Sequence, residues 1–377
     1  MPDLLAELRA AFPVRDRWLY FNHAAVSPLS CPVAKAMEDF NRDALENGSA
    51  RFQNWLDRRE SARLQAARLL GGAQSEEVAL TTSTSQGLLT VAEGLRIEPG
   101  DEILVVQDDF PANQIPWFRQ ERRQARVVTV PRKAGKVLTE GILARIGPRT
   151  RLVALPFVLW DTGQRLDIET IGTALKDHRA FFCVDAIQGL GAFPLDVERA
   201  HIDFLAADSH KWMMGLEGIG LFYCRRQCLE ELDDPFQSWL SVEDPFTPWH
   251  SGKQRLGDAR RFEFASLPTV AIFGMEACLD LLLKTDVDRM APRILELTDR
   301  LTDGLTGLGW NVRSPRDQEA EKSGIVSALP PSGTAEDAVA ELEKRHVSVA
   351  MRGGGVRFSP HAWNTLDEVE RLLDLLA

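Results

Sequence analysis

The chain has 377 residues, 44% of them hydrophobic and 26% charged, with 44 Lys plus Arg against 55 Asp plus Glu for a net charge of −11. At about 150 residues per domain this length suits two or three domains with a sizeable core, and it excludes a largely disordered chain, a collagen-like repeat and a small disulfide-stapled module. The acidic balance disfavours nonspecific polyanion binding, so no nucleic-acid partner is expected.

From Glu77 onward, short apolar runs alternate with longer amphipathic ones. Strands are predicted over 77–82, 101–107, 126–131, 151–159, 181–185, 204–207 and 220–225, with helices over 86–95, 113–123, 139–146 and 168–177 between them. This alternation predicts an α/β class with a mainly parallel sheet between helices, whose ligands bind beyond the carboxyl ends of the strands. A helical pattern over 268–283 leads out of that unit, and helices near 292–308, 335–345 and 366–376 mark a smaller α+β C-terminal domain. The domain expectation is an N-terminal segment, 1–19, packing with the small domain; a large domain, 20–266; a connecting helix, 267–290; and a small domain, 291–377. Residues 235–261, with scattered Pro, Gly and charge, read as a loop over the site or at a subunit interface. The N-terminus shows no signal-peptide stretch and no run of 18 apolar residues occurs, so a cytoplasmic chain with no membrane partner is expected.

Three clusters carry candidate chemistry. Asp208-Ser209-His210-Lys211-Trp212 follows the apolar run IDFLAA. A lysine at the end of a buried strand is costly when charged, and burial lowers its pKa toward that of a nucleophile; the plainer reading is a solvated turn residue beside a core tryptophan. In FFCVDAIQ, Asp185 ends a strand with Gln188 three residues on. Such a carboxylate can hold a ring nitrogen protonated, as an electron-sink cofactor needs, or it can cap the following turn. In TTSTSQG, over 81–87, hydroxyls and free N–H groups at a helix start suit a phosphate, with simple N-capping as the alternative. No Walker A sequence or well-placed GxGxxG occurs. Cys31, Cys183, Cys224, Cys228 and Cys278 are scattered without zinc spacing, so no metal site is expected and the thiols suit a reducing compartment.

Taken in order, these strings resemble the class V branch of the fold type I pyridoxal-phosphate-dependent enzymes, which includes cysteine desulfurases, isopenicillin-epimerase-like proteins, kynureninases and aminotransferases. The resemblance runs from YFNHAAVSPL at Tyr20 through TTSTSQG, DDFPANQ, VDAIQ, DSHKW and RRFEFASLP to VRFSPHAWNT at Val356. It implies the fold of that branch, pyridoxal 5'-phosphate as cofactor, a small amino-acid substrate and a homodimer with shared sites. By the same resemblance Lys211 is the catalytic residue, linking to the cofactor and then shuttling the α-proton. Asp185 partners the pyridine nitrogen, Gln188 donates to the ring hydroxylate, and Phe110 stacks on the ring. Thr84, Ser85 and His210 hold the phosphate, which Ser266 contacts from the partner subunit. Arg357 grips the substrate α-carboxylate, for which a planar guanidinium is suited, with Arg352, Asn22, His23 and Trp160 on the substrate side.

The chain also departs from the pattern. Asp208 stands where desulfurases often have serine, and a carboxylate there would repel phosphate, so either Asp208 points away or Ser209 substitutes for it. Trp160 replaces a common asparagine, which resembles the kynureninase and epimerase-like side. Desulfurases carry a mobile-loop thiol shortly before the carboxylate-binding arginine, and no cysteine lies between Cys278 and Arg357. Persulfide-forming desulfuration is therefore not expected. The resemblance implies an external aldimine and a Cα carbanion without choosing the fate of that carbanion, and an aminotransferase is the reading preferred because it needs no additional catalytic thiol. The alternatives are a C–S or other β-lyase, an amino-acid epimerase or racemase, and a low-turnover accessory protein on the same fold.

Overall fold

The computed structural model describes residues 4–247 and 253–377. Helix α1 (Leu4–Ala10) and the short strand β1 (Leu19–Tyr20) precede two long helices, α2 (Cys31–Asn47) and α3 (Phe52–Leu69). The alternating stretch follows as β2 (Val78–Thr81), α4 (Thr84–Gly94), β3 (Glu102–Val106), α5 (Ile115–Phe118), β4 (Arg126–Val130), α6 (Thr139–Leu143), β5 (Thr150–Pro156), α7 (Ile168–Leu175), β6 (Phe181–Asp185), β7 (Phe204–Asp208) and β8 (Gly220–Cys224). These seven strands lie in the order β2-β8-β7-β6-β5-β3-β4, parallel throughout except for β8, which runs against both neighbours. The mixed α/β fold with a mainly parallel central sheet is thus the one the alternation predicts.

Both faces of this sheet are covered, which explains why its strands read as unbroken apolar runs. Val153, Leu155, Phe182, Val184 and Leu205 enter one core, while Leu152, Ala154, Cys183, Phe204 and Ala206 enter the other, following the two-residue period of a strand. Helix α4 sits so close that a Cβ on Gly87 would lie 2.6 Å from the Cβ of Ala206. Glycine at 87 therefore lets the start of α4 approach the carboxyl end of β7. A buried ion pair ties α3 to the sheet: Arg59 and Arg63 both reach the Glu263 carboxylate, which also accepts the Leu80 N–H at 2.8 Å.

After β8 the described part of 235–261 contains no helix or strand before a short 3-10 turn at Ala259–Phe262; residues 248–252 of that predicted loop lie outside the described residues. Helices α8 (Thr269–Thr285) and α9 (Val287–Gly307) then lead to β9 (Asn311–Val312), β10 (Val326–Leu329), α10 (Ala335–Lys344), β11 (Val347–Ser348), β12 (Ala350–Arg352), β13 (Gly355–Phe358) and α11 (Leu366–Leu376). Strands β12-β13-β10-β9 form an antiparallel sheet, and β11 pairs in parallel with β1. A third core, with Leu297, Leu301, Val326, Phe358 and Leu372, packs α9 and α11 on this sheet. Of the N-terminal residues, Leu8, Ala11 and Phe12 enter the first core and Leu19 and Phe21 the third, while Arg9 donates to the Trp363 carbonyl at 3.1 Å and to Glu368 at 2.8 Å.

Two predicted helices differ. The one expected over 113–123 is broken into two 3-10 turns flanking the four-residue α5, because Pro111 and Pro116 cannot donate inside a continuous helix. The one expected from Pro292 begins at Val287, where the Asp286 carboxylate caps the Asp288 N–H, and Pro292 lies inside it. No described helix is long and apolar enough to cross a membrane.

Candidate active site

Beyond the carboxyl ends of β5, β6 and β7, and in front of the start of α4, lies a cavity with about 670 Å³ of empty space, its open mouth included. Ser83, Thr84, Ser85, Phe110, Trp160, Asp185, Gln188, Asp208, His210 and Lys211 line it, so most of the residues singled out in the sequence converge there. Asp109 lines it too and was not singled out.

Lys211 is presented by a closed loop after β7. The Ser209 N–H donates to the Ile219 carbonyl at 3.0 Å, and the Gly215 N–H donates to the Ser209 carbonyl at 2.8 Å. The Ser209 hydroxyl donates to the Leu216 carbonyl at 2.8 Å and accepts the Leu216 N–H at 3.1 Å. A Cβ at Gly215 would lie 2.5 Å from that oxygen, so the loop closes only with glycine there. Spent on the loop, Ser209 does not face the cavity. Asp208 does, with Oδ1 at 3.0 Å from Nδ1 of His210. Asp208 thus stands at the cavity beside His210, and its charge acts on the Lys211 amine.

The Lys211 amine lies 5.7 Å from the centre of the Phe110 ring. Burial pushes its pKa from 10.5 down to about 8; Arg357 and Arg352 add to the fall, against the pull of Asp185 and Asp208. Burial likewise pushes the Asp185 carboxyl up to about 6, despite the Ile187 N–H it accepts at 3.1 Å and the charge of Lys211. Asp109 is pushed up to about 7, by burial first and then by Asp185. One of its oxygens accepts from Asn113 at 2.9 Å, and Asn113 in turn accepts the Trp117 indole N–H at 2.9 Å. The only signal for Asp109 in the sequence is its neighbour Asp108 and an asparagine four residues on. Gln188 is pinned between the Trp212 indole N–H, which it accepts at 3.0 Å, and the Ala24 carbonyl, to which it donates at 3.0 Å, leaving one amide N–H free.

Arg357, in the middle of β13, is buried and donates to the Trp160 carbonyl at 2.8 Å. Burial, and then Arg352, push its guanidinium down to about 9. The Trp160 ring meets Phe110 edge-on at 5.7 Å. Arg352 and Arg357 do not line the cavity themselves, although the charges of both act on Lys211, and three further sequence candidates also stand apart from it. His23 is fully buried, its Nδ1 donating to the Ser359 carbonyl at 3.3 Å and its Nε2 accepting from Trp363 at 3.1 Å. Burial and the adjacent His361 hold it neutral, with a pKa well below 6.5, so it is a packed and satisfied imidazole. Asn22 lines a separate groove with Trp18, Tyr20 and Ser348. Ser266 is exposed and does not line the cavity of its own chain.

These donors fit pyridoxal phosphate. Ser83 caps α4 by accepting the Gln86 N–H at 3.2 Å, leaving the N–H groups of Thr84 and Ser85 at the helix start for an anion. The Thr84 hydroxyl already accepts the Asp208 N–H at 2.8 Å and keeps its own proton to donate. His210 Nδ1 and Asp208 Oδ1, 3.0 Å apart, are buried and make no well-aligned hydrogen bond, which leaves both with capacity toward a ligand. Phe110 offers an aromatic face, Asp185 a buried carboxylate and Lys211 an amine for an aldehyde.

The family described as Aminotransferase class-V matches residues 19–372. An uncharacterized aminotransferase, YcbU, of Bacillus subtilis is 26% identical over 380 residues, covering 100% of this chain and 98% of its own. A probable cysteine desulfurase of Methanothermobacter thermautotrophicus is 27% identical over 394 residues, covering 98% and 96%. The apo structure of a cysteine desulfurase from Thermococcus onnurineus NA1 superposes with a TM-score of 0.89 at 26% identity, over 98% of this chain and 96% of that one. With the match running through both sheets and every wall of the cavity, the chain belongs to the class V aminotransferase family of pyridoxal-phosphate-dependent enzymes.

Proposed function

We propose that the chain is an aminotransferase, moving an amino group between an amino acid and a 2-oxo acid. The observation that carries this reading is the approach to Arg357. Residues Arg352 and Gly355 are paired strand partners, so only Gly353 and Gly354 separate β12 from β13, with φ of +55° and +78°. A two-residue turn of this kind is rigid and leaves no mobile loop to carry a thiol. Cys183, Cys224, Cys228 and Cys278 are buried, and burial pushes each thiol up; Cys31 is exposed at the start of α2 and does not line the cavity. An amine, a buried carboxylate and a guanidinium remain, which suffice for proton transfer at Cα.

When bound, pyridoxal phosphate supplies an electron sink for charge developing at Cα. In this reading Lys211, with a pKa near 8, takes the α-proton and returns it, since an amine close to neutral can act in both directions. Asp185 keeps a negative charge at the ring-nitrogen end, and Thr84, Ser85 and His210 hold the phosphate. Gln188 offers its free N–H, Arg357 orients the α-carboxylate, and Phe110 with Trp160 excludes water from one face. The exposed position of Ser266 suits a phosphate contact to the neighbouring protomer of a homodimer, and five free cysteines suit the cytoplasm.

The test is the visible spectrum of the holoenzyme as single amino acids are added and products analysed. Conversion of the cofactor to its amine form, reversed by a 2-oxo acid, is the expected result. A spectrum that keeps its starting band while ammonia, sulfide or alanine accumulates rejects the proposal in favour of a lyase.

A further inference from the structure

The hairpin β12–β13 places a second cation beside Arg357. Ala350 pairs with Arg357 and Arg352 with Gly355. In an antiparallel pair a residue shares its face with the position two along from its partner, within reach of long side chains. Arg352 and Arg357 stand in that diagonal relation. The Gly353-Gly354 turn fixes it, because both residues adopt the left-handed conformation that a two-residue hairpin requires. The turn is also buttressed: a Cβ on Gly353 would lie 2.8 Å from Asp161, and Arg313 donates to the Gly353 carbonyl.

Neither guanidinium is neutralised. Arg357 donates to a carbonyl alone, and its buried Nε has no partner. Arg352 is exposed on the hairpin and donates only to the Met351 carbonyl at 2.8 Å. Among the described residues, no carboxylate lies within ion-pair distance of either. Asp161, whose charge bears on Arg357, is already held by Arg132, which reaches its two oxygens at 2.9 and 2.7 Å. The fields of both arginines also reach Lys211. Two cations on one face of a hairpin, one buried and one exposed, repel each other until anions offset them, and a monoanion offsets only one.

We infer that the site takes an amino acid with an anionic side chain, a carboxylate or a group of like charge, with Arg357 holding the α-carboxylate and Arg352 the side-chain anion. This rests on the reading of the cavity as an amino-acid site, and it makes the 2-oxo acid partner a dicarboxylate as well. A substrate with a neutral side chain would leave Arg352 without a partner.

The experiment measures binding without turnover, by titration calorimetry of the holoenzyme with succinate and with butyrate, which have the same carbon count and differ by one carboxylate. Succinate is expected to bind at least about tenfold more tightly than butyrate. In R352Q that preference falls to about twofold or less, and R352K restores part of it. Equal affinity for the two ligands in the native protein overturns the inference. So does an R352Q variant that weakens both alike, which would mean that Arg352 serves the same carboxylate as Arg357. Tight succinate binding without transamination of any amino acid would overturn the aminotransferase reading and leave this one standing. Transamination of neutral amino acids with no succinate preference would do the reverse.

Discussion

Asp109, just beyond β3, and Asp185, the last residue of β6, face the same cavity, and the charge of Asp185 raises the cost of charging Asp109. The consequence for the cofactor-free chain has a definite sign. Asp109 has a folded pKa of about 7 against an ordinary carboxylate value near 3.8, so the folded chain holds a proton that the unfolded chain releases. That contribution is full at pH below about 4 and is lost as pH rises through about 7. Asp185, raised to about 6, acts in the same direction. Asp109→Asn is therefore expected to gain stability relative to the native chain as pH goes from 5 to 8, read as the difference in urea midpoints. A difference that stays constant across this range would show that Asp109 titrates normally. At this scale, legibility followed distance along the chain. Asp185 stands out because it closes an apolar run, and Lys211 because it follows another by only four residues. Asp109 depends on Asp185, which another strand delivers. For His23 the sequence leaves both a substrate-side residue and a satisfied imidazole open, because the groups that hydrogen-bond it, Ser359 and Trp363, come from the far end of the chain.

The strands of the large sheet were readable because each is a run of buried residues bounded by turns, and burial on both faces makes such runs conspicuous. The small sheet was not, since β9 to β13 contain only two to four residues each and too little periodicity to recognise. Nor does the sequence show that Gly353 and Gly354 form a turn with Arg352 in register, since registry belongs to the pair of strands and not to either one. Between elements, the charge most exposed to a test is Glu263, which two arginines of α3 and the Leu80 N–H share. Glu263→Gln leaves Arg63 buried without its counter-charge, and a loss of about 3 kcal/mol in unfolding free energy is expected. A loss below about 1 kcal/mol would mean that water or Glu60 takes over the pairing.

For the molecule as a whole, the proposed homodimer predicts that the native chain sediments as a dimer. It also predicts that Ser266→Ala, though outside the cavity of its own chain, lowers pyridoxal-phosphate affinity about tenfold through one lost hydrogen bond to an anion. A monomer that holds the cofactor equally well with and without the Ser266 hydroxyl would reject the shared site. The two ends of the chain are joined as closely as any neighbours: Leu19 pairs with Val347, His23 packs on His361, and Arg9 reaches Glu368. This closure sets an order for biosynthesis. Strand β1 emerges from the ribosome about 330 residues before its partner, a wait of roughly 15 s to a minute at about 5–20 residues per second. All seven strands of the large sheet, with Asp185 and Lys211, have been translated by Cys224, whereas Arg352 and Arg357 come near the end. The amine end of the cavity is thus synthesised well ahead of the guanidinium end, and a prematurely terminated chain keeps the first without the second.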